Sequence, residues 1–280
     1  MKTLRMLATT LVMTALCLNF TACRDNDDEE IPGYSIVNPS NVFTGKRIKA
    51  ISGGSMTYDA NGLLTKIEFE EGLVVFEYHN VTRSINQEHY ITMKVINDKN
   101  TPDKETYIYD MELNEQGFVK YAEQTHLESE GNIETYKFNY DSDGHLIYIE
   151  SADGMGENPS IQYTNITYKD GNIIETSSSS SDEPGKITHV ISYTSDKVSK
   201  LIENKGSIMY FDETFDVDMD DFSYAYYAGL LGKATKNLPV KCNSANSSNY
   251  EFAWTLDNNG YPTKLVTDDG VSESDVSIEW

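Results

Sequence analysis

Residues 136–149 read Tyr-Lys-Phe-Asn-Tyr-Asp-Ser-Asp-Gly-His-Leu-Ile-Tyr-Ile, and this stretch contains the pattern on which the fold depends. Up to Tyr140, apolar and polar residues alternate as they do in a β-strand with one buried face. Gly144 then supplies a residue that accepts positive φ without steric cost, and an apolar run follows it. The stretch therefore predicts two antiparallel strands that are joined by a tight turn.

This hairpin pattern repeats along the chain. It recurs, complete or shortened, at 58–67, 113–119, 168–173, 193–198 and 256–265. The turn glycines Gly117, Gly144 and Gly171 are 27 residues apart, and a period of this size indicates a repeated supersecondary unit. We therefore expect a mainly β protein, an open antiparallel meander of hairpins with a period of about 27 residues and about 14 strands.

One segment breaks the period. Residues 222–233 read Phe-Ser-Tyr-Ala-Tyr-Tyr-Ala-Gly-Leu-Leu-Gly-Lys, and Phe222, Tyr226 and Leu230 fall on one helical face. Acidic residues precede this stretch and Gly232 closes it, which suits the helix dipole and a glycine cap. We predict one helix near 220–232, packed against the apolar face of the sheet.

The N-terminal residues predict where the protein works. Lys2 and Arg5 precede a short apolar run, and residues 20–23 read Phe-Thr-Ala-Cys, as at the cleavage site of a bacterial lipoprotein signal. The run is also shorter than the roughly 20 apolar residues that span a bilayer. We predict a signal peptide over 1–22, acyl chains (palmitate) on Cys23, an acidic flexible tether over 23–45 and a single β domain over 46–280.

Charge and cysteine content limit the possible partners. The net charge of −23 repels phosphate backbones, so we expect no nucleic-acid partner and contact with a membrane through the lipid anchor alone. Of the three cysteines, Cys17 leaves with the signal and Cys23 carries the lipid. Cys242 then has no disulfide partner, and a buried, unreactive thiol is the favoured interpretation.

Two resemblances follow from these motifs. The Tyr-Asp pairs at 58–59 and 140–141 resemble the YD repeats of bacterial RHS-type surface proteins. The lipobox, the acidic tether, the hairpins and the stretches 228–233 and 237–239 look like a family of Bacteroidetes surface lipoproteins whose domain has unknown function. That resemblance implies a place on the outer face of the outer membrane, but it brings no catalytic or binding residues.

Motifs with recognisable chemistry are sparse. The five histidines are dispersed without metal-ligand spacing, and no nucleophile motif is present. Asp216, Asp218 and Asp220 match the opening of a calcium loop, although Asp221 stands at its glycine position and Tyr227 at its glutamate position. These three are weak calcium candidates beside the alternative of an acid-rich helix start. We predict no cofactor and name no catalytic residue.

The aromatic residues leave the function open between several interpretations. Nineteen tyrosines and ten phenylalanines provide either a stacking platform for a ligand or cross-strand packing. The favoured interpretation is a non-catalytic binding module for a glycan or a protein, with ligand-binding residues unknown. The alternatives are an architectural component that partners outer-membrane proteins, and a hydrolase.

Overall fold

The computed structural model describes residues 37–79, 91–129, 133–154, 159–245 and 249–280. The described residues from 37 onward form one compact unit. The predicted signal peptide, Cys23 and the first part of the predicted tether therefore lie outside the described residues. Residues 37–45 fall within the predicted tether, and here Val37 and Val42 are buried against the domain.

The domain is a closed antiparallel β-barrel of sixteen strands. The strands are β1 Ala50–Ile51, β2 Gly54–Tyr58, β3 Leu64–Glu68, β4 Leu73–Tyr78, β5 Ile91–Asn97, β6 Glu105–Leu113, β7 Val119–His126, β8 Ile133–Tyr140, β9 Leu146–Asp153, β10 Ser160–Lys169, β11 Asn172–Ser180, β12 Ile187–Ser192, β13 Lys241–Ser244, β14 Tyr250–Leu256, β15 Pro262–Asp268 and β16 Glu273–Glu279.

The prediction of an open meander is wrong, because the first and last strands pair. Ala50 of β1 lies opposite Glu279 of β16, and Ile51 lies opposite Ile278. One short helix could not cover the apolar face of so many strands. Rolling the sheet into a barrel buries that face completely and removes both sheet edges. The predicted strand reversals at the turn glycines are confirmed, for example at Gly144 between β8 and β9.

A repeated side-chain contact shapes the hairpin turns. Asp141 Oδ1 accepts hydrogen bonds from the backbone N–H of Asp143 and of His145, at 2.9 and 2.8 Å. Asp59, Asn114 and Asp257 make the same pair of contacts in their own turns. A short acceptor side chain at the start and a glycine three residues later are what such turns require. The recurring sequence pattern is therefore turn chemistry.

The long connection between β12 and β13 fills the barrel. Its residues 208–238, called the plug, contain the helices α1 Phe211–Phe215 and α2 Tyr224–Tyr227 and a 3₁₀ turn at Asp220–Ser223. Phe222 is fully buried and stacks on Tyr136 and Phe138 of β8, with ring centroids 5.1 and 5.0 Å away. The strand faces that bury apolar residues therefore line a lumen that the plug occupies.

The predicted helix near 220–232 is also corrected. Only Tyr224–Tyr227 is α-helical, because Gly229 adopts a φ of +81° and ends the helical path. Phe222, Tyr226 and Leu230 are buried as expected, but they pack inside a barrel and not on one side of an open sheet.

The last part of the plug runs along the turns at one end of the barrel. Val119 N donates to Leu230 O at 2.9 Å, Lys233 N to Gly144 O at 2.9 Å, and Lys236 N to Gly171 O at 2.8 Å. Steps of three residues along the plug thus match successive hairpins of the repeat. We call this end the glycine-turn mouth; it is formed by the turns that contain Gly62, Gly117, Gly144, Gly171 and Gly260.

Candidate functional site

Most lumen-facing residues of this barrel are apolar and buried, as Met93 and Tyr109 show, and His189 and Thr176 are buried polar exceptions. The alternate, exposed positions of the strands carry ion pairs. These pairs are Lys66–Glu68, Glu112–Lys120, Lys137–Glu150, Lys241–Glu251 and Lys264–Asp275. A transmembrane barrel shows the opposite arrangement, with an apolar outer band and often a polar interior.

The end opposite the glycine-turn mouth is strongly acidic. Asp221 Oδ2 accepts from Asn97 Nδ2 at 3.3 Å at the end of β5, and Glu134 and Asp153 belong to β8 and β9 at the same end. Partial burial, followed by repulsion from Asp153 and Asp220, raises the pKa of Glu134. Burial likewise raises the pKa of Asp221. We call this end the acidic mouth; it is lined by Glu134, Asp153, Asp212, Asp218, Asp220 and Asp221.

The calcium candidates do not come together in the described part of the chain. Asp216 Oδ2 lies 3.1 Å from His189 Nδ1 in the lumen, while Asp218 and Asp220 are exposed at the acidic mouth. Within those residues, the ligand atoms that gather within 4.8 Å belong instead to Asp141, Asp143 and His145. There the Asp141 carboxylate already caps its own turn. The calcium hypothesis stays a prediction.

His189, Asp216 and Cys242 lie near one another in the lumen. His189 pairs with Asp216. The negative charge of Asp216 also acts on the nearby Cys242 thiol and contributes to raising its pKa. Burial, followed by the Asp216 charge, raises the pKa of Cys242 to about 12, so the thiol stays protonated. Both His189 and Cys242 are almost fully buried. This group therefore lacks the thiolate and the access that nucleophilic catalysis needs.

A row of aromatic and charged side chains crosses the outer wall. Strand register places Tyr121 of β7, Lys137 of β8, Glu150 of β9 and Tyr163 of β10 side by side. Both tyrosines are partly exposed, as is the lysine at 59%. Neighbouring strands are about 4.8 Å apart, so the row extends over about 14 Å.

A second row lies beside the first on the same face. Tyr148 of β9 sits between Asn139 of β8 and Asn165 of β10. Both asparagines are exposed, and their amides can donate and accept hydrogen bonds. We call the two rows together the tyrosine strip, which comprises Tyr121, Lys137, Asn139, Tyr148, Glu150, Tyr163 and Asn165.

An ion pair holds the centre of the tyrosine strip in place. Lys137 Nζ donates to Glu150 Oε1 at 2.7 Å, and Tyr148 Oη donates to Glu150 Oε2 at 3.0 Å. The lysine hydrogen bond is the main reason that the pKa of Glu150 is lowered. Burial, followed by the Glu150 hydrogen bond, raises the pKa of Tyr148 to about 12, so its hydroxyl stays neutral. The strip thus combines rigid rings with fixed polar groups.

Comparison with known proteins identifies the family of this chain. A domain of unknown function (DUF4595) with porin-like fold matches residues 56–264. The chain belongs to the DUF4595 family. No curated protein matches it. The family match supports the predicted resemblance to Bacteroidetes proteins with a domain of unknown function, whereas the resemblance to YD repeats is not supported.

Two solved structures share the fold of this DUF4595 domain. A porin-like protein from Bacteroides uniformis superposes with a TM-score of 0.54 at 17% identity, covering 81% of this chain and 88% of that chain. A porin-like protein from Bacteroides vulgatus gives a TM-score of 0.57 at 10% identity, covering 84% and 99%. The barrel is thus porin-like in its fold. Among the described residues of the DUF4595 chain, no helix is long and apolar enough to span a membrane.

The tyrosine strip was not visible in the sequence of this DUF4595 domain. Tyr148 lies in the unbroken apolar run 146–149, where alternation does not tell inward from outward. Because Tyr148 pairs with the exposed Asn139 of β8, its side chain faces outward, whereas the side chain of Tyr136, also on β8, faces the lumen. The signal that could have found the strip is the strand register, which depends on bulges such as the one between Asn139 and Tyr140.

Proposed function

We propose that the protein is a cell-surface outer-membrane lipoprotein, held by acyl chains at Cys23, whose barrel stands in water and binds glycans without catalysis. The observation that carries the glycan proposal is the tyrosine strip on the exposed wall. Tyrosines offer large, rigid contact area at low entropic cost, and their ring faces suit the apolar faces of sugars.

The charged wall supports a barrel that stands outside the bilayer. Lys137 and Lys264 project from exposed strand positions. A lysine that faces lipid at the bilayer midplane costs about 2–4 kcal/mol, and several such residues surround this barrel. The plug also blocks the lumen at Phe222, so the barrel does not offer a porin's water-filled channel. The fold is porin-like, but its surface chemistry favours water.

The proposed anchor can be tested in cells. The natural protein should incorporate labelled palmitate and be removed by protease from intact cells. A Cys23→Ser variant should lose the label and leave the membrane fraction. Label that persists in the variant would overturn the anchor, and protection of the natural protein until cells are lysed would overturn the surface location.

Glycan binding can be tested by affinity electrophoresis through gels that contain plant and host polysaccharides. At least one polysaccharide should retard the protein, and the double change Tyr148→Ala and Tyr163→Ala should reduce that retardation at least tenfold. Val190→Ala is the matched control, because Val190 is 51% exposed on β12, away from the strip. Circular dichroism should show that all variants remain folded.

Two results would contradict glycan binding at the tyrosine strip. One is the absence of retardation across the panel; the other is equal retardation of the double variant and the natural protein. Photo-crosslinking from position 148 adds a further readout. Recovery of membrane-embedded proteins, without any retardation by glycans, would favour the architectural alternative.

A further inference from the structure

A cavity lies at the glycine-turn mouth, beneath the segment that leads into the barrel. Residues 37–48 cross this mouth, where the Phe43 ring packs edge-on against Tyr226 at 5.5 Å. Lys46 pairs this segment with the turn between β14 and β15, since its Nζ lies 3.0 Å from Asp257 Oδ2. Between the segment and the barrel is a space of about 430 Å³. Small-molecule sites in proteins have volumes of about 300–1,000 Å³.

The walls of this cavity, which we call the mouth pocket, are mainly apolar. Phe43, Ile48, Leu64 and the rings of Tyr58 and Tyr227 line it. Two hydroxyls of these rings are already engaged: Tyr58 Oη donates to Ile48 O at 2.8 Å, and Tyr227 Oη donates to Met209 O at 2.8 Å. The rings therefore present apolar surface to an occupant.

The charge in the mouth pocket is positive, although the protein as a whole is strongly acidic. Lys46 and Arg47 line the pocket, and no carboxylate is among its described lining residues. The Arg47 guanidinium lies 5.2 Å from the centre of the Tyr58 ring. Arg47 forms no ion pair with any residue that the structure describes, whereas Lys46 is paired with Asp257. The guanidinium group of Arg47 is thus available to bind an anion.

Gly62 allows Arg47 to take this position. Gly62 has a φ of +85°, and a Cβ at Gly62 would collide with the guanidinium. The same glycine therefore serves the turn after β2 and leaves room for the cation beside the pocket.

From these features we infer that the mouth pocket binds a small anion with an apolar body, of the class of medium-chain carboxylates. The apolar wall takes the chain, and Arg47 binds the carboxylate through charge-assisted hydrogen bonds. This site is separate from the tyrosine strip, and neither proposal depends on the other. A free carboxylate and the headgroup and chain of an anionic lipid share this chemistry.

Isothermal titration calorimetry of the purified protein with decanoate tests the inference. Decanoate should bind, decanol should bind at least tenfold more weakly, and Arg47→Gln should weaken decanoate binding at least tenfold. Lys49→Gln is the matched control, because it removes the same charge two residues away, from an exposed side chain outside the pocket lining. A parallel arm with phosphatidylglycerol vesicles identifies the source: binding to vesicles alone that Arg47→Gln abolishes assigns the pocket to lipid.

The inference is overturned if neither decanoate nor the vesicles bind. It is also overturned if Arg47→Gln and Lys49→Gln reduce binding equally, or if decanol binds as tightly as decanoate. Thermal denaturation of both variants should show unchanged midpoints, because Arg47 and Lys49 are exposed.

Discussion

Single glycines hold the plug close to the turns. Gly232 has a φ of +81°, and a Cβ there would lie 2.5 Å from Gly144 O and 3.1 Å from the Tyr140 ring. Gly232→Ala combines an unfavourable left-handed backbone, costing about 1–2 kcal/mol, with a collision against backbone. We expect it to lower the free energy of unfolding by about 3 kcal/mol, measured by urea denaturation.

Gly270→Ala is the control for this change. Gly270 has nearly the same φ, +82°, but no described atom lies within 4 Å of the position that a Cβ would take there. It should show only the backbone cost of about 1–2 kcal/mol. Equal losses for the two variants would show that the contact between Gly232 and Gly144 contributes little.

Two partly buried tyrosines from successive hairpins differ in whether their hydroxyl has a hydrogen-bond partner. Tyr140 Oη donates to Val119 O at 2.8 Å, whereas the Tyr168 hydroxyl is buried without a partner among the described residues. Tyr140→Phe should lower the free energy of unfolding by about 1–2 kcal/mol. Tyr168→Phe should change it by less than about 0.5 kcal/mol or raise it, because an unpaired hydroxyl is removed. The reverse order in urea denaturation would refute these assignments.

The plug as an element should contribute strongly to stability through its aromatic contacts. Phe222 contacts Tyr109, Tyr136 and Phe138 from inside the barrel. Phe222→Ala leaves a cavity among these rings and should cost about 3–5 kcal/mol in urea denaturation. The exposed control Val190→Ala should stay within about 0.5 kcal/mol. A small effect of Phe222→Ala would mean that the plug is only loosely seated.

The acidic mouth should make stability depend on pH. Burial, together with neighbouring acids, raises the pKa of Glu134 and of Asp220 in the folded state. The folded protein therefore takes up protons before the unfolded chain does, and the unfolding free energy rises as pH falls from 7 toward about 5. Below about pH 4 the trend should reverse, because the unfolded chain then protonates Glu251 and Asp257 while the folded protein, in which their pKa values are about 2, keeps them charged.

Thermal denaturation across this pH range measures the effect. The midpoint should be higher at pH 5 than at pH 7, and Glu134→Gln with Asp220→Asn should reduce that difference. A midpoint that falls steadily from pH 7 to pH 5 in the natural protein would contradict the raised pKa values of the carboxyl groups at the acidic mouth.

At the scale of the whole molecule, the hairpins could be predicted from sequence but the barrel could not. Gly144 and Asp141 mark a turn through local chemistry, which a sequence displays directly. Closure depends on Ala50 and Ile51, a two-residue strand that pairs with the far end of the chain. No local pattern encodes that pairing. The predicted covering helix is instead part of the plug, because its apolar spacing is the same whether it packs outside a sheet or inside a barrel.

For the candidate sites, too, the sequence shows the residue types but not their arrangement in space. The acidic run that includes Asp218 and Asp220 could be seen in the sequence, but its place at one mouth of the barrel could not. The tyrosine strip required the register of β7 to β10, and the mouth pocket required the segment with Phe43 and Lys46 to reach Tyr226 and Asp257, far along the chain. Both sites are formed by contacts between segments that are distant in the sequence.

This porin-like barrel has a charged wall and a filled lumen, and we propose that it therefore stands in water. Size-exclusion chromatography of residues 24–280 in detergent-free buffer tests it most directly, because these residues include the whole compact unit. We expect a single sharp peak of compact, folded protein, with no conductance when that material is added to planar bilayers. Aggregation that only detergent prevents, followed by stable channel currents after reconstitution, would contradict it.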